Sequence, residues 1–90
     1  MALLEQQQYD EVFEALRTIV SETLRVPAES VTAASRITDL AHVESITLLR
    51  IAGKIERRFG IEIDNETIFR DGSLADVVQE IIASRQRAAV

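Results

Sequence analysis

One hydroxyl side chain, Ser45, lies in the stretch DLAHVESITLLRIAGKIERRFGIEI (residues 39–63), at the point where apolar residues begin to recur at helical spacing. The backbone before it is expected to be irregular, which would leave the hydroxyl accessible to a modifying enzyme. An anion attached there would lie near the free N–H groups and the positive dipole end of the helix. Ser45 is therefore a candidate attachment site, although from position alone helix capping is the simpler explanation.

The sequence does not indicate that Ser45 acts as a catalytic nucleophile. A serine hydrolase would need a Gly-x-Ser-x-Gly motif and a partner histidine. The motif is absent, and the single histidine, His42, is not at catalytic spacing. His42 with Asp39 and Glu44 offers possible metal ligands, but a lone loop histidine is more often solvated. We predict a protein without a metal site that is not an enzyme.

Two segments have the apolar spacing of amphipathic helices. Apolar residues recur at steps of three and four from Tyr9 to Leu24 and from Ile46 to Phe59, as in helices that bury one face. Gly60 suits a left-handed C-cap on the second helix. Ile55 and Phe59 are predicted to be central to the core. The predicted buried positions are Val12, Phe13, Leu16, Ile19, Val20, Leu24, Leu48, Ile51, Ala52, Ile55 and Phe59, with Leu49 widening the second stripe.

The connection between these helices, residues 25–43, is long for a compact domain. Loops of this length tend to be functional. Pro27 prevents the first helix from continuing, and a short helical turn is predicted near Ala28–Val31. Four apolar residues are predicted to pin the connection across the helical core: Val26, Val31, Ile37 and Leu40.

After Gly60 we predict one short helix and one long helix. The alternating residues 61–64 are strand-like but too few and too isolated to form a sheet. Asn65 is predicted to cap a turn over residues 66–69, and Ser73 to cap the last helix. The chain from Ser84 onward is predicted to be frayed. The predicted buried face of the last helix is Leu74, Val77, Val78, Ile81 and Ile82.

Together these elements predict an all-α fold. It is a small four-helix bundle with a long first loop, made of three main helices and one short helix. The 90 residues are too few for more than one typical domain. We therefore expect a single domain over residues 1–90, with a core over about residues 8–84 and frayed termini.

The stretch from Asp39 to Ile63 resembles the acyl carrier protein family. In that family an Asp-Ser-Leu triplet opens the second helix of a four-helix bundle whose first loop is long. Here Glu44, Ser45 and Ile46 stand at the triplet. The preceding Asp-Leu pair is similar to the family's Asp-Leu-Gly turn, and KIERRFGIEI is similar to the end of its second helix. The resemblance extends over almost the whole chain, because the order and lengths of the elements agree.

The resemblance implies that Ser45 carries a 4′-phosphopantetheine arm, transferred from coenzyme A, whose terminal thiol holds an acyl group as a thioester. The implied partners are a phosphopantetheinyl transferase, an acyl- or aminoacyl-loading enzyme, and ketosynthase, condensation or tailoring enzymes. A second hypothesis stays open, in which the chain is a helical interaction or regulatory domain that keeps the carrier fold but is not modified.

A basic segment lies in an otherwise acidic chain. The formal net charge is −5, but residues 45–60 hold four bases against one acid, a net charge of +3. Fatty-acid carriers of the family often have an acidic second helix that docks on basic enzyme surfaces. A basic helix therefore implies a dedicated carrier in a polyketide, nonribosomal peptide or hybrid pathway rather than a housekeeping fatty-acid carrier. An ordinary solvated face explains the same charges. The residues predicted to contact partners are Glu44, Ile46, Leu49, Arg50, Gly53, Lys54 and Arg57.

Composition limits the remaining functions. Aromatic residues make up 4% of the chain and the net charge is negative, which disfavours nucleic-acid binding. No apolar run approaches the ~18 residues of a membrane span, and no signal peptide is visible. The lack of cysteine removes disulfides and thiolate metal sites and fits the cytoplasm. We expect a cytoplasmic monomer, and the N-terminal sequence favours a discrete protein.

Overall fold

Four helices and one 3₁₀ turn make up the described part of the chain. The computed structural model describes the backbone of residues 2–40, 44–63 and 72–88, and the side chains of these ranges except residues 2–4, 45 and 88. The elements are α1 (Ala2–Leu24), a 3₁₀ turn (Ala28–Ser30), α2 (Ile37–Leu40), α3 (Ser45–Phe59) and α4 (Leu74–Ala88). These ranges contain no strand, which confirms the predicted all-α bundle with a long first loop. The predicted turn capped by Asn65 lies outside the described residues.

The core is formed where α1 packs against both α3 and α4. Each of these helices buries one stripe of apolar side chains, as their spacing predicts. Five positions that were predicted to be buried are only partly buried and pack against the core: Phe13, Ile19, Leu24, Leu48 and Ile82. Complete burial of such a side chain contributes about 1.5–3 kcal/mol, so the shared core fixes the position of α3. The buried apolar residues are Val12, Leu16, Val20, Val31, Ile37, Ile51, Ala52, Ile55, Ile61, Leu74, Val77, Val78 and Ile81.

Two predictions about the buried face of α3 are wrong. Leu49 is 57% exposed, because a stripe centred on Ile51 and Ile55 lies on the other side of the helix. Phe59 is only partly buried and packs at the rim of the core. It is in the last turn of α3, where the guanidinium carbons of Arg58 and Arg85 lie 5.3 and 5.8 Å from its ring centroid. Ile55 is fully buried, so its central place is confirmed.

Helix α1 begins earlier than predicted, at Ala2 rather than Tyr9. Residues 2–8 are alanine, leucine, glutamate and glutamine, which all have high helix propensity. A side-chain bond from Gln6 Nε2 to Asp10 Oδ1 (3.0 Å) links successive turns. The sequence pattern missed this segment because it was based on apolar spacing, which begins only at Tyr9.

The connection after α1 is pinned to the core as predicted. Val31 and Ile37 are buried, Val26 and Leu40 pack against the core, and the turn near residue 28 is confirmed. The helical turn of α2 was not predicted. The connection also supports α4, since the N–H of Leu74 donates to the carbonyl of Ser35 at 2.8 Å. A second bond of this kind joins the N–H of Ala75 to the carbonyl of Ala33 (2.9 Å), and within the connection the N–H of Ser35 donates to the carbonyl of Thr32 (3.0 Å).

Helix α4 starts at the predicted cap but ends later than expected. The N–H of Ser73 donates to Asp76 Oδ2 (3.1 Å), and the N–H of Asp76 donates back to Ser73 Oγ (3.4 Å). This reciprocal pair is a capping box. The helix continues to Ala88 instead of fraying after residue 84, because Ser84 is 5% exposed within the helix. Arg87 Nη2 donates to Ser84 Oγ at 2.8 Å, which ties down the last turn.

Candidate attachment and docking site

The first turn of α3 is built on Glu44. Glu44 has extended backbone angles (φ −85°, ψ 159°) and is the N-cap residue. Its carbonyl oxygen accepts the N–H groups of Thr47 (3.0 Å) and Leu48 (3.1 Å). Its carboxylate forms no cap hydrogen bond. Ser45 is the first residue inside the helix, so the explanation of Ser45 as the N-cap is wrong.

Beyond its first turn, helix α3 is anchored by a glycine C-cap and by side-chain hydrogen bonds. Gly60 adopts the left-handed conformation (φ 66°), and its N–H donates to the carbonyl of Glu56 at 2.8 Å. The carboxylate of Glu56 accepts the N–H of Ile63 at 3.0 Å. Lys54 Nζ donates to Thr23 Oγ1 at 2.9 Å and so links α3 to the end of α1. The predicted glycine C-cap is confirmed, whereas the Lys54–Thr23 bond had no signal in the sequence.

Two large apolar side chains lie exposed next to the start of α3. Ile46 is 58% exposed and Leu49 is 57% exposed. They are three residues apart, which places them on neighbouring turns of one helix face. Both were predicted to contact partners, and the structure brings them together beside Ser45.

The four basic side chains of α3 are exposed but have different surroundings. Arg50 and Arg57 lie on the same side of the helix as Ile46. Lys54 is bonded to Thr23, and Arg58 lies over Phe59. Among the described residues, none of these four side chains forms an ion pair; the two ion pairs found are Arg17–Glu14 and Arg87–Glu80.

Gly53 and Arg57 lie next to each other on the surface of α3. A β-carbon built on Gly53 would lie 3.3 Å from Nη1 of Arg57. The guanidinium group therefore lies back along the helix over Gly53, in the direction that helical side chains usually take. The four-residue spacing of Gly53 and Arg57 is the sequence signal that could have revealed this contact.

Other kinds of site are not indicated in the described part of the chain. No group of three His, Asp or Glu side chains there is arranged to hold a metal ion, and His42 lies outside that part. None of the described helices has both the length and the apolar character needed to cross a bilayer.

The all-α fold is consistent with a class of small helical carrier proteins, and comparison with known proteins agrees. A family model described as "Phosphopantetheine attachment site" matches residues 14–81, a range that includes Ser45. The acyl carrier protein of Campylobacter hominis is 34% identical over 71 residues, which cover 79% of this chain and 90% of that protein. Those of Helicobacter hepaticus (29% over 75 residues; 83% and 99%) and Thermotoga maritima (26% over 72 residues; 80% and 89%) are also similar.

The chain belongs to the acyl carrier protein family. It is a non-catalytic carrier with a covalently bound 4′-phosphopantetheine group. When bound, this group supplies the thiol on which an acyl group is carried. The protein's partners are enzymes that modify the carrier and enzymes that handle its acyl groups.

Proposed function

We propose that Ser45 is the residue that carries the 4′-phosphopantetheine group, and that the chain presents acyl or aminoacyl thioesters to partner enzymes. The main support is the geometry of the first turn of α3, where Ser45 follows an N-cap whose carboxylate forms no cap bond. The first N–H groups of the helix therefore do not receive their own N-cap side chain. These groups and the helix dipole favour an attached phosphate.

The whole chain, residues 1–90, is proposed to act as a single carrier domain and as a monomer in the cytoplasm. Glu44 and Ile46, the neighbours of Ser45, are both exposed. A transferase can therefore approach this end of α3 across two accessible side chains. The transferase is proposed to activate the serine, because the carrier's single histidine is not at catalytic spacing from Ser45.

The pathway is proposed to be polyketide, nonribosomal peptide or hybrid biosynthesis. The support is the basic character of α3, whose net charge of +3 differs from the acidic second helix of the fatty-acid carriers that the chain resembles. Housekeeping fatty-acid synthesis is the alternative within the same family. The unmodified interaction or regulatory domain that the sequence left open is set aside, because the chain belongs to this family of carriers.

The attachment is tested by incubating the protein with coenzyme A, Mg²⁺ and a broad-specificity phosphopantetheinyl transferase. We expect the intact mass to rise by one phosphopantetheine group, and fragmentation to place it on Ser45. Ser30→Ala is the matched control, because Ser30 is an exposed serine of the connection whose hydroxyl donates to the Pro27 carbonyl at 2.7 Å. No mass gain, or a gain on another serine, would refute the assignment.

The pathway is tested by offering the modified protein to a malonyl transacylase of fatty-acid synthesis, with a fatty-acid carrier of acidic second helix as reference. We expect slower loading than for the reference at low salt, because the enzyme's basic surface meets a basic helix. Added salt should narrow the difference. Loading at the reference rate would favour the housekeeping alternative.

A further inference from the structure

The outward side of α3 carries two kinds of side chain in sequence. Leu49, Arg50, Gly53 and Arg57 lie three, four, seven and eleven residues after Ile46, so the five residues share one face. Eleven residues separate the first from the last, about three helical turns or roughly 16 Å. The face is apolar near Ser45 and cationic further along. We call these five residues the α3 outer face.

The apolar end of this face is unusual for the molecule. Ile46 and Leu49 are the exposed large hydrophobic residues of the described chain. A single exposed apolar side chain needs no explanation. Here two of them adjoin each other on a helix whose opposite side is fully buried at Ile51 and Ile55. A neighbouring pair of this kind marks a surface that another molecule covers.

At the cationic end, the exposed Arg57 side chain lies along the helix beside Gly53. The Arg57 guanidinium lies against Gly53, where a β-carbon would come within 3.3 Å of it. Glycine inside a helix costs about 1 kcal/mol relative to alanine. That loss leaves the guanidinium close to the helix surface, with its remaining N–H donors available to a carboxylate in bidentate geometry.

The charge of the α3 outer face differs in sign from that of the whole chain. The chain has a formal net charge of −5, yet Arg50 and Arg57 carry the face's charge, with Lys54 and Arg58 beside it on the same helix. Within a Debye length of about 8–10 Å such a local patch dominates over distant charges. The complementary surface is therefore acidic, with an apolar depression at one end.

We infer that the α3 outer face docks a protein partner that presents an apolar socket next to Ser45 and carboxylate groups opposite Arg50 and Arg57. This inference rests on the proposed function, since it places the partner beside the attachment serine. Ile46 and Leu49 supply contact area, whereas the two arginines select the partner by charge. A partner with a basic surface is rejected, because like charges would face each other across the interface.

A designed peptide pair tests this inference on the full chain in both its unmodified and modified forms. The probe is a helical peptide of about 20 residues, long enough to populate a helix, with leucines flanked by glutamates. The control peptide has lysine at every glutamate position. Binding is followed by amide chemical shifts of the ¹⁵N-labelled protein. We expect the acidic peptide to shift residues 46–57 and the lysine peptide to leave them unchanged.

Two variants distinguish the effect of the α3 outer face on peptide binding from the effect of the protein's net charge. Arg57→Glu should weaken acidic-peptide binding about fivefold or more, because reversal turns an attraction into a repulsion. Arg36→Glu changes the net charge equally at an exposed position outside α3 and should have a much smaller effect. Equal losses from the two variants, or equal binding of the two peptides, would overturn the inference.

An experiment with lipid vesicles tests whether the α3 outer face binds a membrane instead of a protein. Vesicles of phosphatidylglycerol are sedimented with the protein, and we expect the protein to stay in the supernatant. Sedimentation that Arg57→Glu abolishes would assign the face to a membrane and overturn the protein partner. The mass assay for Ser45 reads neither peptide nor vesicle binding. A failure here is therefore distinct from a failure of the proposed attachment site.

Discussion

The starts of α3 and α4 are built in opposite ways. Ser73 precedes α4 and shares a capping box with Asp76: the Ser73 hydroxyl accepts the N–H of Asp76, and the Asp76 carboxylate accepts the N–H of Ser73. The next residue, Leu74, is fully buried. At α3 the N-cap is Glu44 without a side-chain cap bond, and the exposed Ile46 follows Ser45. One helix start is closed by side-chain hydrogen bonds. Among the described residues, the other has no side-chain cap bond, and we call it the open helix start.

The largest expected effect separates the two serines by chemistry. Ser45→Ala should abolish the mass gain with coenzyme A and transferase completely, since no hydroxyl remains at the open helix start. Ser73→Ala should keep the full mass gain. A circular dichroism spectrum of each variant checks that it stays helical. Full modification of Ser45→Ala would break the comparison, because the open start would then not be the attachment site.

The second prediction compares burial at the two helix starts. Leu74→Ala should lower the free energy of unfolding by about 2–5 kcal/mol, because it leaves a cavity in the core. Ile46→Ala should change it by less than about 0.5 kcal/mol, because that side chain is mostly solvated. Urea denaturation of both variants measures the difference. Equal losses would mean that Ile46 packs into the core and is not available to a partner.

The third prediction concerns the caps themselves. Ser73→Ala should cost about 1 kcal/mol, since an N-cap hydroxyl is lost. Glu44→Ala should be close to neutral in stability, because Glu44 forms no cap bond. Thermal unfolding of the two variants is the measurement. A larger loss at Glu44 than at Ser73 would contradict the distinction between a closed and an open helix start.

Much of this contrast could be predicted from the sequence, but not its details. Periodicity located the stripes around Ile51 and Leu74, because burial of one helix face constrains every third or fourth residue. The cap at Ser73 was also predictable from local chemistry. The sequence could not show that Leu49 lies outside the stripe, because one extra apolar residue fits either edge of a helical face. The exposure of Leu49 depends on where α1 packs.

Other sequence predictions failed for local as well as tertiary reasons. Ser84 has the sequence surroundings of a polar tail, yet it is buried in α4 and accepts a hydrogen bond from Arg87. The start of α1 lacks apolar spacing and is stabilised by helix propensity and a Gln6–Asp10 bond. For the candidate site, the sequence supplied Ser45 and its neighbours. The path of the Arg57 side chain over Gly53 required coordinates.

The smallest expected effect concerns the glycine inside α3. Helix α4 contains no glycine, so the test asks whether Gly53 lowers the stability of α3 while it keeps the α3 outer face available. Gly53→Ala should stabilise the protein by up to about 1 kcal/mol. It should also weaken binding of the acidic peptide about twofold, because the new β-carbon displaces the Arg57 guanidinium by a few tenths of an ångström. Urea denaturation and the ¹⁵N titration measure the two effects separately.

A double-mutant cycle shows whether Gly53 acts through Arg57. In the Arg57→Gln background, Gly53→Ala should leave peptide affinity unchanged while still raising stability, because the displaced group is gone. Gly60→Ala is the contrasting glycine variant, and it should destabilise the protein, since Gly60 has a φ of 66° that a side chain strains. If Gly53→Ala weakens binding equally with and without Arg57, the glycine itself contacts the partner. The α3 outer face would then include the backbone of the helix at Gly53.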